Sequence, residues 1–131
     1  MIDIQGSEPT LGQLAKQSLL DSEKWFDDLE NDCIYSIPYT VLALCGEAGE
    51  LANIIKKIER GSLSWKDSGT KYDAVMESID IFVYLLNFWA LANVDPYKLH
   101  QTKRAINDKR FMAERAVREA RREAANDNPF E

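Results

Sequence analysis

The sequence predicts an all-α fold, a four-helix-bundle-like domain with a C-terminal helical extension, and three observations carry that prediction. Apolar residues recur at helical spacing through most of the chain. Proline and glycine stand where helices should begin and stop, at Pro38, Gly61 and Pro96. No alternating run of comparable length competes as a strand, and no internal repeat is visible. With 131 residues, 45% of them hydrophobic and 29% charged, the chain has apolar material for one core. We place that domain at residues 1–112 and a charged helical extension and tail at residues 113–131.

The first helix spans roughly Leu11 to Leu29, where Leu11, Leu14, Ala15, Leu19, Trp25, Phe26 and Leu29 keep close to a 3.6-residue period. Asn31, Asp32 and Pro38 break the pattern. A second helix runs from Pro38 or Tyr39 to Glu59, because proline suits a first helical turn and Gly61 supplies a stop. The stretch "GSLSWKDSGT", Gly61 to Thr70, reads as a loop by its Gly, Ser and Asp content. A third helix follows from about Lys71 to Asn93. In "VDPYKL", Asp95 can cap and Pro96 can open a fourth helix that continues to about Ala125.

Charge is unevenly distributed. The formal net charge is −6, yet residues 103–123 carry eight Lys or Arg against four Asp or Glu. The acidic remainder argues against a general nucleic-acid binder. The basic last helix keeps one alternative in view, a helical regulatory or assembly protein that binds nucleic acid or a partner through that helix. Its pairs Glu114/Arg118 and Arg115/Glu119 stand at i, i+4, which also suits a solvent-exposed helix.

Cys33 and Cys45 lack metal-type spacing, and the N-terminus has no cationic region followed by an apolar signal segment, so a reducing cytoplasm is the expected compartment. The longest apolar run, Ile79 to Val94, is interrupted by Asp80 and Asn87 and is shorter than the ~20 residues of a membrane span. We expect no membrane association.

Two helices carry carboxylates where a core is expected. On the second, Leu44, Ala48, Leu51, Ile55 and Ile58 form one side, with Glu47 inside that arc and Glu50 at its margin. On the third, Asp73, Glu77, Asp80 and Asn87 make a narrow stripe on a helix otherwise apolar in almost every direction. Such a helix should be buried on nearly all sides, and more apolar surface than one chain can cover predicts a homo-oligomer, a dimer or a tetramer.

A carboxylate facing a core is costly unless it is paired, protonated or bound to a cation. Two acidic edges facing each other therefore point to a divalent ion between them, and oxygen ligands without His or Cys select Mg²⁺ or Mn²⁺. His100 has Tyr97 three positions before it, so the Glu-x-x-His element of di-iron bundles is missing. Gly46 and Gly49 beside the acidic edge would let a neighbouring helix or a substrate approach closely, or serve ordinary helix packing.

These residues resemble a known family. "GEAGEL" at residues 46–51, followed by "ESID" at residues 77–80 and then "KRAINDKRF", is similar to the motif series of the all-α nucleoside triphosphate pyrophosphohydrolases, the MazG-like superfamily. The resemblance covers about Tyr39 to Phe111. It implies a MazG-type helical fold and hydrolysis of a nucleoside triphosphate, a deoxynucleotide included, to the monophosphate and pyrophosphate, in nucleotide-pool house-cleaning or regulation. It implies Glu47, Glu50, Glu77 and Asp80 as catalytic Mg²⁺ ligands, and Lys103, Asn107 and Arg110 as phosphate and nucleotide contacts. Those last three, at i, i+4 and i+7, share a helix face. Trp25 and Tyr39, with Tyr35, are the aromatic residues available either to stack on a base or to fill the core.

Overall fold

The computed structural model describes residues 7–26 and 34–126. They form four helices, α1 (Leu11–Trp25), α2 (Ile37–Glu59), α3 (Ser68–Leu91) and α4 (Pro96–Asn126), and no strand. The fold is all-α, as the sequence predicts. The chain divides into two compact units, Met1–Asp95 containing α1 to α3, and Pro96–Glu131 containing α4.

Each helix of the first unit begins on a side chain that satisfies its free N–H groups. At α1 the Thr10 hydroxyl accepts from the Gln13 N–H at 3.2 Å while the Gln13 amide oxygen accepts from the Thr10 N–H at 2.8 Å, a reciprocal capping box. At α2 the Ser36 hydroxyl accepts from the Tyr39 N–H, and Pro38 lies in the first turn as expected. At α3 the Asp67 carboxylate accepts from both the Thr70 N–H (2.9 Å) and the Thr70 hydroxyl (2.8 Å). These bonds favour the ionised acid and hold Asp67 below its ordinary pKa.

That cap corrects one boundary. α3 starts at Ser68 rather than Lys71, because Asp67 supplies an acceptor inside what composition alone reads as loop. Leu29, the break at Asn31 and Asp32, and Cys33 lie outside the described residues.

α2 and α3 stop by one device. Gly61, at φ 76°, takes the left-handed position after α2, its N–H donating to the Ile58 carbonyl and that of Ser62 to the Lys57 carbonyl. Asn93, at φ 52°, does the same after α3, with bonds from Asn93 to Ala90 and from Val94 to Trp89. Both pairs are the Schellman pattern that satisfies terminal carbonyls.

α3 is the shared element of the first unit, since α1 and α2 both pack against it. The neighbours run in opposite order along the chain, Lys16 lining a cavity with Asn93 and Trp25 one with Asp80, and Tyr39 standing by Tyr84 and Glu47 by Glu77, so both pairings are antiparallel. Where the helices meet, the buried residues are small or polar: Ala15 and Ser22 on α1, Thr40 on α2, and Thr70, Ala74 and Asn87 on α3, with Leu86 and Ile34 as the larger members.

The sequence expectation that α3 is covered on nearly all sides does not hold within the chain. Tyr72, Val75, Met76 and Ile79 share one face by their spacing, and each is at least 40% exposed. On α2, Val41, Leu42 and Ile55 are exposed as well. Two neighbouring helices cannot surround a third whose apolar residues point all round. α3 is long and apolar enough to cross a membrane by length and composition, which the shorter run read from the sequence is not. It also carries Asp73, Glu77 and Asp80.

The second unit is the single long helix α4. Arg110 pairs with Glu114 (3.2 Å), Arg115 with Glu119 (2.7 Å) and Arg118 with Glu114 (3.9 Å), all at i, i+4 on exposed side chains. The two tail pairs anticipated from spacing are thus both formed. Residue 113, the predicted start of an extension, falls inside this unbroken helix.

Candidate functional site

Three of the four predicted acidic ligands come together. Glu47 on α2 and Glu77 and Asp80 on α3 each place a carboxylate oxygen within 4.8 Å of the others. Their arrangement follows from local structure: Glu77 and Asp80 stand one turn apart on α3, and the antiparallel pairing brings the middle of α2 opposite that turn. Glu47 and Glu77 are half-buried and Asp80 is exposed. Glu50, one turn beyond Glu47, is exposed and stands outside the trio.

The crowding is legible in the electrostatics. Burial, then the charge of Asp80, a hydrogen bond with Glu77, and the charges of Glu77 and Glu50 push the Glu47 carboxyl above its ordinary value. Glu50 is the weakest of these influences. Among the described residues of the first unit, no Lys or Arg forms an ion pair with Glu47, Glu77 or Asp80. The repulsion is therefore not offset by a neighbouring cationic side chain there.

A cavity of about 230 Å³ opens beside the trio. Glu47, Asp80, Val83 and Tyr84 line it from α2 and α3, and Ser22, Trp25 and Phe26 line it from the end of α1. Trp25, one of the two predicted aromatic contacts, is 60% exposed at this opening rather than packed in the core. Tyr39 is also exposed, and its phenol is close enough to act on Tyr84. Burial first, and then Tyr39, Glu47 and Asp80, raise the Tyr84 hydroxyl above its ordinary pKa. Tyr84 therefore stands as a neutral phenol beside the acidic group.

The rest of the α3 stripe splits. Asp73 is exposed, whereas Asn87, 4% exposed, turns to α1: its Oδ1 accepts from the Ser18 hydroxyl at 2.7 Å and its Nδ2 donates to the Ser22 hydroxyl at 2.9 Å. Ser18, Ser22 and Tyr84 are site-lining or site-supporting residues that the sequence reading passed over. The available signal was Asn87 itself, since a polar amide on an apolar helix requires partners.

Lys103, Asn107 and Arg110 all lie on α4, Asn107 half-buried and the other two exposed. Arg110 is held by Glu114 and lies 4.7 Å from the Phe111 ring centroid. The glycine expectation is corrected in one respect. A Cβ at Gly46 or Gly49 would meet nothing within 4 Å, so among the described residues of the first unit no helix approaches closely there.

A larger cavity of about 380 Å³, bounded by Thr10, Lys16, Trp89 and Asn93 among others, lies at the opposite end of the α1–α3 pairing and gathers no carboxylate cluster. Neither a protein-family model nor a curated protein matches this sequence. The function must therefore be argued from the motifs and from the site.

The donor set fits a hard divalent cation. Three carboxylates, no imidazole or thiolate, and one acid whose charge is held back by its neighbours make a place where a Mg²⁺ or Mn²⁺ ion would relieve the repulsion. The raised pKa of Glu47 sets the sign of a stability effect. Between the ordinary and the raised value, the folded state holds a proton that the unfolded state releases, so stability falls as pH rises through that window. In chelator at pH 7, Glu47→Gln should melt at a higher temperature than the parent, and the difference should close below pH about 4.5, the ordinary value, where both forms are neutral. Thermal melts across pH in chelator check this; a destabilised Glu47→Gln at pH 7 would contradict it.

Proposed function

We propose that this chain is a Mg²⁺-dependent nucleoside triphosphate pyrophosphohydrolase of the MazG-like kind, cleaving a ribo- or deoxynucleoside triphosphate to its monophosphate and pyrophosphate, with Mn²⁺ as an alternative ion. The observation that carries the proposal is the convergence of Glu47, Glu77 and Asp80 at the mouth of an aromatic-lined cavity. Triphosphate chemistry needs a charge-binding centre and a place for a planar base. The two features are adjacent.

In this reading Glu47, Glu77 and Asp80 hold the ion, with Glu50 adding negative charge one turn away. When bound, the ion supplies positive charge to phosphate oxygens and lowers the pKa of a water. The chain's own residues do the remainder. Glu47, which like Asp80 belongs both to the trio and to the cavity wall but is the more buried of the two, would orient the water and accept its proton as the water attacks the α-phosphorus. The bond from the α-phosphorus to the bridging oxygen breaks, and pyrophosphate leaves with that oxygen. By resemblance, Lys103, Asn107 and Arg110, which share one face of α4, would supply donors to phosphate oxygens, for which Arg110 would exchange Glu114. No side-chain nucleophile is required.

The expected products are equal amounts of monophosphate and pyrophosphate, with no diphosphate. Incubating purified protein with a panel of ribo- and deoxynucleoside triphosphates and Mg²⁺, then separating the products by anion exchange, checks the reaction type. Diphosphate with orthophosphate would overturn it.

The enzyme in this proposal works as a homo-oligomer. Tyr72, Val75, Met76 and Ile79 on α3, with Val41, Leu42 and Ile55 on α2, expose more apolar surface than scattered single residues would. Open space over Gly46 and Gly49 leaves α2 free to meet a second copy or a substrate. Light scattering at micromolar concentration should give a dimer or a tetramer; a monomer would rule this part out.

A further inference from the structure

Asn87 is the most deeply placed polar side chain of α3, and its two bonds to α1 have a direction. The Ser18 hydroxyl donates to the Asn87 Oδ1 at 2.7 Å, with the Val83 carbonyl farther off at 3.4 Å. With the amide in this orientation, its Nδ2 donates to Ser22 Oγ at 2.9 Å. Ser22 thus accepts from behind. Among the described residues no bond uses its own proton, although it is 4% exposed and lines the 230 Å³ cavity.

We propose that Ser22 is a specificity-determining residue: the Ser18–Asn87–Ser22 relay holds its hydroxyl as a hydrogen-bond donor toward the edge of a planar heterocycle seated between α1 and α3. The inference rests on the reading of the acidic trio as a nucleoside triphosphate site and names what that site selects. It takes bases that present an acceptor, a carbonyl oxygen or an unprotonated ring nitrogen, at the edge nearest Ser22.

The dimensions and the walls agree with that occupant. A cavity of about 230 Å³ is smaller than the ~300–1,000 Å³ of pockets that enclose whole drug-sized ligands, so it suits one ring system with the rest of the molecule outside. Trp25 and Tyr84 offer flat faces for stacking, Phe26 and Val83 offer apolar ones, and Tyr84 stays neutral beside the acids. Glu47 and Asp80 line the same cavity, so a ring held there leads into the carboxylate trio. A buried hydroxyl with a spare proton favours an acceptor, because leaving that proton unmatched once a ring has displaced the water is costly.

The experiment uses the full chain and two readouts. The first is kcat and KM with Mg²⁺ for the deoxynucleoside triphosphates of all four bases and of uracil, on the parent, Ser22→Ala, Ser22→Thr and Ser18→Ala. The second is binding of the corresponding monophosphates in chelator, followed by tryptophan fluorescence with Trp25→Phe as the control. Ser22→Ala should raise KM for the favoured substrate about three- to tenfold, the worth of one neutral hydrogen bond, leave kcat within about twofold, and leave disfavoured substrates unchanged. Ser22→Thr, which keeps the hydroxyl, should restore the preference. Ser18→Ala should weaken it in the same direction by less.

A uniform loss over all substrates would show a merely structural Ser22 and overturn the inference, as would an unchanged ranking or a failed rescue by Thr. If the parent hydrolyses no triphosphate, the reaction reading falls. The monophosphate titrations then decide separately: a Ser22-dependent preference among bases supports the donor role, and no Trp25-dependent binding of any base overturns it.

Discussion

Three carboxylates crowded into one turn of space, without an ion pair from the first unit to offset them, are the constraint on which the rest of the site depends. Like charges so close disfavour joint ionisation, and Glu47 responds by holding its proton more tightly. The fold accepts this because α2 and α3 are held together by other means. The Asp67 cap and the Gly61 turn fix the connection between the helices, and the Asn93 turn ends α3. Pairing along the hairpin then holds the acids together against their repulsion. In the proposed enzyme such a scaffold would be preorganised for a cation, since assembling the ligands would cost little further.

The packing around α3 is arranged to the same end. Its buried positions are mostly small or polar, Thr70, Ala74 and Asn87 with Leu86, and Asn87 meets Ser18 and Ser22 of α1. Small residues permit close approach, and the amide–serine bonds fix how α1 lies along α3. The end of α1 consequently delivers Trp25 and Ser22 to the cavity that Glu47 and Asp80 border. Structure and proposed function meet in that placement: the amide that aligns two helices also orients the hydroxyl at the cavity wall. The exposed faces of α2 and α3 lie outside this arrangement, and in the proposed enzyme a second copy covers them.

Much of this was legible in the sequence because it rests on periodicity and punctuation. Helical spacing and the positions of Pro38, Gly61 and Pro96 foretold four helices, and the placement of Glu47, Glu77 and Asp80 on otherwise apolar faces foretold their meeting. What was not legible depends on partners distant in sequence. Ser18 and Ser22 read as ordinary polar positions of an amphipathic helix until Asn87 is set against them, about 65 residues on. Glu50 shares its motif with Glu47, yet one turn of helix takes it out of the trio, a distance that spacing cannot resolve. Burial of α3 was overestimated because an apolar pattern states what must be covered and not what covers it.

The most direct measurement of the central claim is a pair of thermal melts on the parent and on Asp80→Asn, each in chelator and in millimolar Mg²⁺. Asparagine removes one charge at nearly constant volume. If the trio is a cation site, the parent should gain melting temperature with Mg²⁺ by linkage, and Asp80→Asn should be at least as stable as the parent in chelator while gaining little from the ion. An Asp80→Asn variant that is destabilised in chelator, beside a parent indifferent to Mg²⁺, would contradict the account.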